Sequence, residues 1–502
     1  MEKLNKIYKT NRILEIDRYS IECEGITSYE LMESAAESWV DFFENSFEEA
    51  GKAIVIAGKG NNGGDGFVIA RLLLENGWDV EVVTVEGWRA MTEDCKEAER
   101  LWRKEKMGVK TVACPEEWTP DEDAVLVDAL FGAGLNRPVE GLEARLIRRM
   151  NALPNEVYAV DIPSGLMGED NSRNDRTAIV KADYTYTFQF MKLAFLLPEN
   201  AEYVGELHVL DIDLQTGDIE PDWYCTTLET VQELLPESNR FAHKGMNGRG
   251  LLIAGSRGMM GAAVLGAKAA VRSGVGVLHC HVPNGCGDIM QVAVPEAILE
   301  EDESECCFSA LKEMERWNAI AVGPGIGQRD ETVEGLRALL QHWKGRLVLD
   351  ADALNILATH KDLLECVPED SILTPHIGEF ERLTGKSEND FERLNKLLIF
   401  AKQYRVNVVL KGAYSAVATA DGELYFNMSG NPGMAKGGCG DVLTGVLLAL
   451  AANGIKMKEV ARIGVFAHGL AGDLLAERVG MRGISSGLLA EEMGAAWSEI
   501  EG

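Results

Sequence analysis

The sequence predicts two α/β domains, each a parallel sheet covered by helices. Three observations carry that expectation. The 502 residues exceed what one hydrophobic core usually serves. Short apolar runs alternate with segments of helical periodicity, the pattern of parallel strands joined by crossover helices. The alternation runs twice, interrupted by a polar stretch at 213–240 that carries Pro221 and Pro236. The expected domains are residues 1–222 and 223–502, with the junction inside 220–230.

In the first domain, Thr27 and Glu30 are spaced for a capping box. Leu31, Met32, Ala35, Trp39, Phe42 and Phe43 then recur at helical spacing. Strands are expected at 53–57, 80–85, 124–127 and 157–160. Helices are expected at 67–76, stopped by Gly77, and at 92–107. In the second domain the strands fall at 251–254, 275–282, 319–322, 347–349 and 406–410, with a small-residue helix at 261–272. The two halves do not share a motif order, so no internal repeat is expected. The apolar run 442–452 is too short to span a bilayer and follows a glycine loop.

Composition narrows the function classes. With 46% hydrophobic and 26% charged residues the chain is globular rather than disordered. Its 49 Lys+Arg against 80 Asp+Glu leave −31 at pH 7. Such a field repels a polyphosphate backbone or anionic lipid, so neither nucleic acid nor membrane is expected as a partner. A phosphorylated small molecule can still bind through local backbone N–H groups. The N-terminal residues lack an apolar core, so no secretory signal is expected. Ten cysteines without regular spacing read as reduced thiols, and the expected location is cytoplasmic. His279, Cys280, His281 and Cys286 invite a metal reading. On a strand, however, Cys280 would point away from the two histidines, and a packed strand is preferred.

Three loops of the first half fall at strand ends. Residues 58–66 read GKGNNGGDG, which satisfies G-x-G-x-x-G, with Glu86 ending the next strand. A dinucleotide fingerprint or a tight ligand-free turn are both open readings. Asn61, Asn62 and Asp65 suit a polar ligand or a small cation better than a pyrophosphate alone. Asp128 closes AVLVD and leads into ALFGAG, and Asp161 closes VYAVD before IPSG. In a parallel sheet these loops converge on one cleft, which would bring Asp65, Asp128 and Asp161 within reach of one another.

The sharpest motif of the second half is 431–441, NPGMAKGGCGD, running into a helix. Glycines before a helix let free N–H groups face a phosphate, and the helix dipole adds to the attraction. Asp441 at the edge of that anion hole is placed to take a proton from a hydroxyl during phosphoryl transfer, or simply to cap the helix. Supporting loops are 322–327 (VGPGIG), the pair Asp350 and Asp352, 374–379 (TPHIGE) and 411–415 (KGAYS).

GNNGGDG, VDALFGAGL and AVDIPSG together resemble the epimerase domain of the NAD(P)H-hydrate repair enzymes, an N-terminal Rossmann-like parallel sheet. The second-half motifs, with His243-Lys244-Gly245 and the turn at 255–262, resemble that family's dehydratase domain, a ribokinase-like α/β domain. The resemblance implies an epimerase that interconverts the R and S hydrates of NADH and NADPH. It also implies a dehydratase that restores the S hydrate to NAD(P)H as ADP becomes AMP and phosphate. By motif, Asn61, Asn62, Gly63, Gly64 and Asp65, with Gly132, Ala133, Gly134, Leu135, Asn136, Arg137 and Pro138, would hold the hydrate. Asn62, Asp128 and Ser164 would hold potassium, and Asp161 would act near the reacting ring. Lys192 lies where the family carries a lysine, though a solvated strand-end lysine is an equal reading. In the dehydratase domain Gly323, His376, Ile377, Gly378, Glu379, Phe380, Glu381 and Arg382 would contact the hydrate, with Asp441 catalytic. Lys411, Gly412, Ala413, Tyr414 and Ser415 would bind the nucleotide with its Mg2+. So would Asn431, Pro432, Gly433, Met434, Ala435, Lys436, Gly437, Gly438, Cys439 and Gly440. A homo-oligomer, tetramer or octamer, is expected from the same resemblance.

The sequence departs from the family at Ile377, usually Pro, and at Lys436 and Cys439, usually small or hydroxyl residues. Near Met259 and Met260 the family often has an aromatic. Lys436 is expected to place a charge near the nucleotide phosphates. The runner-up reading is a small-molecule kinase, for instance of vitamin precursors, with an N-terminal ligand-binding domain. An NAD-dependent oxidoreductase ranks third and a non-catalytic binding module fourth.

Overall fold

The computed structural model describes residues 5–86, 90–105, 107–237 and 240–502. The chain divides into two compact units, one ending at Trp223 and one beginning at Tyr224, except that 389–391 group with the first.

The first unit is a seven-stranded sheet. Its order is Lys110–Val112, Asp79–Val85, Lys52–Ala57, Val125–Ala129, Val157–Val160, Tyr184–Phe188 and Glu206–Leu210, with every pair parallel. Parallel pairing leaves both faces to be covered, so the central strands are largely buried and apolar, as in Lys52–Ala57, where only Lys52 is exposed. The helix Ser28–Glu44 starts at the expected capping box: Glu30 N–H donates to Thr27 Oγ1, and the Glu30 carboxylate accepts from Thr27 N–H. It lays Met32, Trp39 and Phe43 into the core.

One expectation is corrected here. The helix predicted at 67–76 begins instead at Asn61, so NNGGDG is helix rather than turn, with Gly60 as its N-cap. Its glycines serve close packing. A Cβ on Gly63 would lie 1.9 Å from the Gly58 carbonyl oxygen, and one on Gly66 would lie 2.6 Å from Ala129 Cβ. Tertiary contact overrides the poor helix propensity of Gly and Asn.

The sheet of the second unit runs Trp223–Thr226, Leu424–Asn427, Ala416–Ala418, Asn407–Leu410, Ile372–Leu373, Arg346–Leu349, Ala319–Val322, Arg249–Ile253, Val277–Val282 and Ile298–Glu301. All neighbours are parallel except Ala416–Ala418, which is antiparallel to both of its partners. The stretch taken from the sequence as an interruption supplies the strand Trp223–Thr226 and the helix Leu228–Leu234.

The apolar run after the glycine loop is the central helix Cys439–Ala452, buried at nearly every position. It crosses the helix Met260–Arg272 so closely that a Cβ on Gly445 would lie 2.0 Å from the Gly266 carbonyl oxygen. Among the described residues no helix is long and apolar enough to cross a membrane. All ten cysteines are free. On Val277–Val282, His279 engages Glu300 (2.9 Å) and His281 engages Asp302 (2.7 Å), while Cys280 is buried.

Candidate functional site

Each unit gathers polar groups at the carboxyl ends of its strands, where a parallel sheet places its ligands. In the first unit Asp161 follows Val157–Val160 with φ of 67°, a left-handed conformation that Asp and Asn tolerate better than other non-glycine residues. That turn aims its carboxylate at the end of Tyr184–Phe188. Its Oδ1 accepts from Thr187 Oγ1 (3.1 Å), Phe188 N–H (3.1 Å) and Lys192 Nζ (2.5 Å). Lys192 is 2% exposed and also donates to Thr187 Oγ1 at 2.7 Å, so it is a buried partner of Asp161 rather than a solvated lysine.

Two further carboxylates share this field. Asp17, on the helix Thr10–Glu24, is pushed up to about 6 by burial and by Asp161, against an opposing pull from Lys192. Asp65 is raised well above the usual carboxylate range by burial, then by Asp161 and Asp17. Asp17 was not legible as a site residue: it sits on an amphipathic helix far from Asp161 in sequence and belongs to no motif.

Asp128 is the centre of a further node. It is fully buried, inside the strand Val125–Ala129, and accepts from Ser164 N–H (2.7 Å), Ser164 Oγ (2.6 Å) and Leu130 N–H (3.3 Å). Burial lifts its carboxyl to about 6, against those hydrogen bonds. Ser164 Oγ also accepts Phe131 N–H at 2.8 Å, which ties the loop 132–138 to this node. Asn62 adjoins the same loop: a Cβ on Gly132 would lie 3.0 Å from Asn62 Cβ, and the buried Asn62 Nδ2 has no partner among the described residues. A buried carboxylate, a hydroxyl and an amide with spare capacity suit a hard monovalent cation, whose charge would also favour the ionised carboxylate. Among the described residues no group of three or more His, Cys, Asp or Glu is arranged for a metal ion. Asp65 and Asp161 are thus coupled electrostatically, and Asp128 is bonded to Ser164 on the loop that follows Asp161.

In the second unit the glycine loop leads into Cys439–Ala452, whose first N–H groups lack intrahelical acceptors. Gly438 is left-handed, with φ of 94°, which turns the chain from loop into helix. Asp441 lies in the first turn, lifted to about 6 by burial, then by Asp350 and Asp352, against Lys411. Lys411 Nζ donates to Asp350 Oδ1 (3.0 Å), and Thr444 Oγ1 donates to Asp350 Oδ2 (2.8 Å). A Cβ on Gly440 would lie 3.3 Å from Lys411 Nζ, so the ammonium lies beside the glycine loop. Gly323 requires glycine outright: at φ of 138° its Cβ would lie 1.8 Å from the Asp350 carbonyl oxygen.

The 376–382 segment divides. His376 caps the helix Ile377–Thr384, its Nδ1 accepting from Gly378 N–H (3.0 Å) and Glu379 N–H (3.3 Å), with Nε2 left toward solvent and Glu379. Glu379 is buried and accepts His376 N–H at 2.8 Å. Phe380, expected at the substrate, is fully buried against Phe400, which makes it core. Lys436 is also corrected. Its ammonium is bonded to backbone carbonyls of 481–484 rather than left free for phosphate.

Residues outside the recognised motifs brace the loop. Asp473 accepts Gly430 N–H (2.7 Å) and Asn431 Nδ2 (2.9 Å). His468, pushed down to about 4 by burial, donates Nε2–H to the Cys439 carbonyl (3.0 Å). Both lie on the helix Met457–Val479, whose apolar periodicity gave no sign of a role at the loop.

Comparison with known proteins converges on one family. Residues 250–494 match the family model described as NAD(P)H-hydrate dehydratase, and residues 28–194 match that described as YjeF-related protein N-terminus. The bifunctional NAD(P)H-hydrate repair enzyme of Thermofilum pendens is 36% identical, covering 96% of this chain and 94% of that one. Its counterpart from Moorella thermoacetica is 34% identical, covering 95% and 94%. The counterpart from Escherichia coli is 33% identical, covering 93% and 89%. The first unit is accordingly Rossmann-like and the second ribokinase-like. The chain belongs to the bifunctional NAD(P)H-hydrate repair enzymes.

Proposed function

We propose that this chain repairs hydrated NADH and NADPH at two sites. The first unit interconverts the R and S hydrates; the second dehydrates the S hydrate as ADP becomes AMP and phosphate. The observation that carries the reading is Asp441, a carboxylate lifted to about 6, in the first turn beyond a glycine loop with Lys411 beside it. The N–H groups at 437–440 receive the transferring phosphoryl group while Asp441 takes the proton of the ring hydroxyl. The ring nitrogen's lone pair forms a C=N bond as phosphate leaves with the C–O bonding pair, and the adjacent ring carbon then loses a proton to the departing phosphate, restoring the reduced ring. Lys411, held by Asp350, offsets phosphate charge. Magnesium bound with the nucleotide would neutralise phosphate charge beside Lys411.

In the first unit Asp161, with Asp65 beside it, is the proton-handling group at the hydrate, and Lys192 serves to hold the Asp161 carboxylate. Asn62, Asp128 and Ser164 would hold a potassium ion that fixes the loop 132–138. A cytoplasmic location and a homo-oligomeric assembly, tetramer or octamer, complete the proposal; composition supports the first and family resemblance the second.

The direct test is incubation with hydrated NADH, ADP and magnesium. Recovery of the reduced-ring absorbance with release of AMP is expected, and turnover with ATP but not ADP would overturn the choice of donor. Phosphorylation of an unrelated alcohol with no action on hydrates would favour the kinase reading instead. The pH dependence follows from Asp441. A general base works only ionised, so kcat/KM for the S hydrate should fall as pH drops through about 6 and level off above it. A profile flat from pH 5 to 8, roughly the range in which such a group titrates, would remove Asp441 from that role.

A further inference from the structure

Lys436 lies on the nucleotide loop, yet its ammonium faces away from it. Nζ donates to the carbonyl oxygens of Arg482 (2.9 Å) and Ile484, with Met481 at 3.5 Å. It pairs with no carboxylate among the described residues, in a chain with 80 Asp+Glu. These carbonyls belong to the link between the helices Met457–Val479 and Ser486–Glu501. The link packs tightly on the loop: a Cβ on Gly433 would lie 2.6 Å from the Met481 carbonyl oxygen. Ser486 Oγ continues the contact by donating to the Gly437 carbonyl at 2.7 Å.

Converging backbone carbonyls are how proteins replace the hydration shell of a monovalent cation. A lysine ammonium is a compact point charge with three donors and can fill the same oxygen geometry. We propose that Lys436 is a tethered cation: it fills a backbone-carbonyl cage that would otherwise take a potassium-sized ion. In doing so it locks 481–486 against the loop and holds the amides of 437–440 in place. Lys436 is therefore a positioning residue that does not touch the nucleotide. The cage stands on geometry alone; its consequence for nucleotide binding rests on the dehydratase reading.

The test compares the full chain with Lys436→Met, which keeps the aliphatic stem and removes the charge. Both proteins are studied in potassium chloride and in tetramethylammonium chloride at equal ionic strength. The first readout is amide hydrogen exchange at 433–441 and 481–486, which needs no turnover and is specific to this loop. The variant should exchange faster in tetramethylammonium and regain protection in potassium, while the parent is the same in both salts. The second readout is titration with ADP and magnesium, where the variant should bind about tenfold more weakly in tetramethylammonium and recover in potassium. Unchanged exchange in the variant, or loosening that potassium does not reverse, would overturn the cage. Affinity lost in both salts with exchange unchanged would mean instead that Lys436 reaches the phosphates. A parent that protects these amides but does not dehydrate the S hydrate would count against the dehydratase reading and not against the cage.

Discussion

Asp441→Asn should lower kcat for dehydration of the S hydrate by about 10²–10⁴-fold while leaving ADP affinity nearly unchanged. The contrast with a structural role is large enough to decide the matter. The helix is entered through Gly438, and Asp441 sits in its first turn, where a carboxylate interacts with the helix dipole for about 0.3–1 kcal/mol. Loss of the proton acceptor is worth about 3–5 kcal/mol of activation free energy at the stated fold-change. Asparagine keeps the shape and the dipole interaction in weakened form, so the thermal midpoint should move little. The measurement is kcat with saturating ADP, beside an ADP titration of the same variant. Near-normal turnover would send the search for the base elsewhere, and the structure orders the alternatives. Asp350 is committed to Lys411 and Thr444, and Asp352 accepts Gly327 N–H at 2.9 Å. His376 keeps its Nε2 toward solvent and Glu379, which makes it the first to examine.

The residues that were legible in the sequence are those whose chemistry is local. Thr27 and Glu30 cap a helix because the box is closed within four residues, and its structure follows the sequence pattern. Asp161 and Asp441 could be marked because strand ends and glycine-rich helix starts are recognisable in a short window. What escaped is decided by contacts distant in the chain. The helix start at Asn61 was masked because three glycines read as a turn, whereas they are needed by Gly58, Met32 and Ala129 pressing on that face. Lys192 could not be told from a solvated lysine until Thr187 and Asp161 enclosed it. Lys436 looked like a phosphate ligand by position alone, and only the return of the chain at 481–484 shows where its charge goes.

The second large effect is expected at Asp161. Asparagine is the right replacement, because it tolerates the left-handed backbone that alanine would strain, and its Oδ1 can still accept from Thr187 and Phe188. Asp161→Asn should abolish interconversion of the R and S hydrates, followed by chromatography of the two epimers, while dehydration of pure S hydrate continues. Removing one partner of a buried ion pair costs about 3–5 kcal/mol of stability when the other charge is stranded. Asp161 is partly open, at 16% side-chain exposure, so the penalty should be smaller, but a lower thermal midpoint is still expected. That penalty would blur the test unless stability and chemistry are separated. Asp161→Asn combined with Lys192→Met removes the stranded ammonium and should recover much of the midpoint. If Asp161 only held the fold together, epimerisation would return with the midpoint. If its carboxylate handles the proton, the double variant should be stable and still fail to epimerise. Dehydration of S hydrate lost in either well-folded variant would show instead that the two chemistries are not independent.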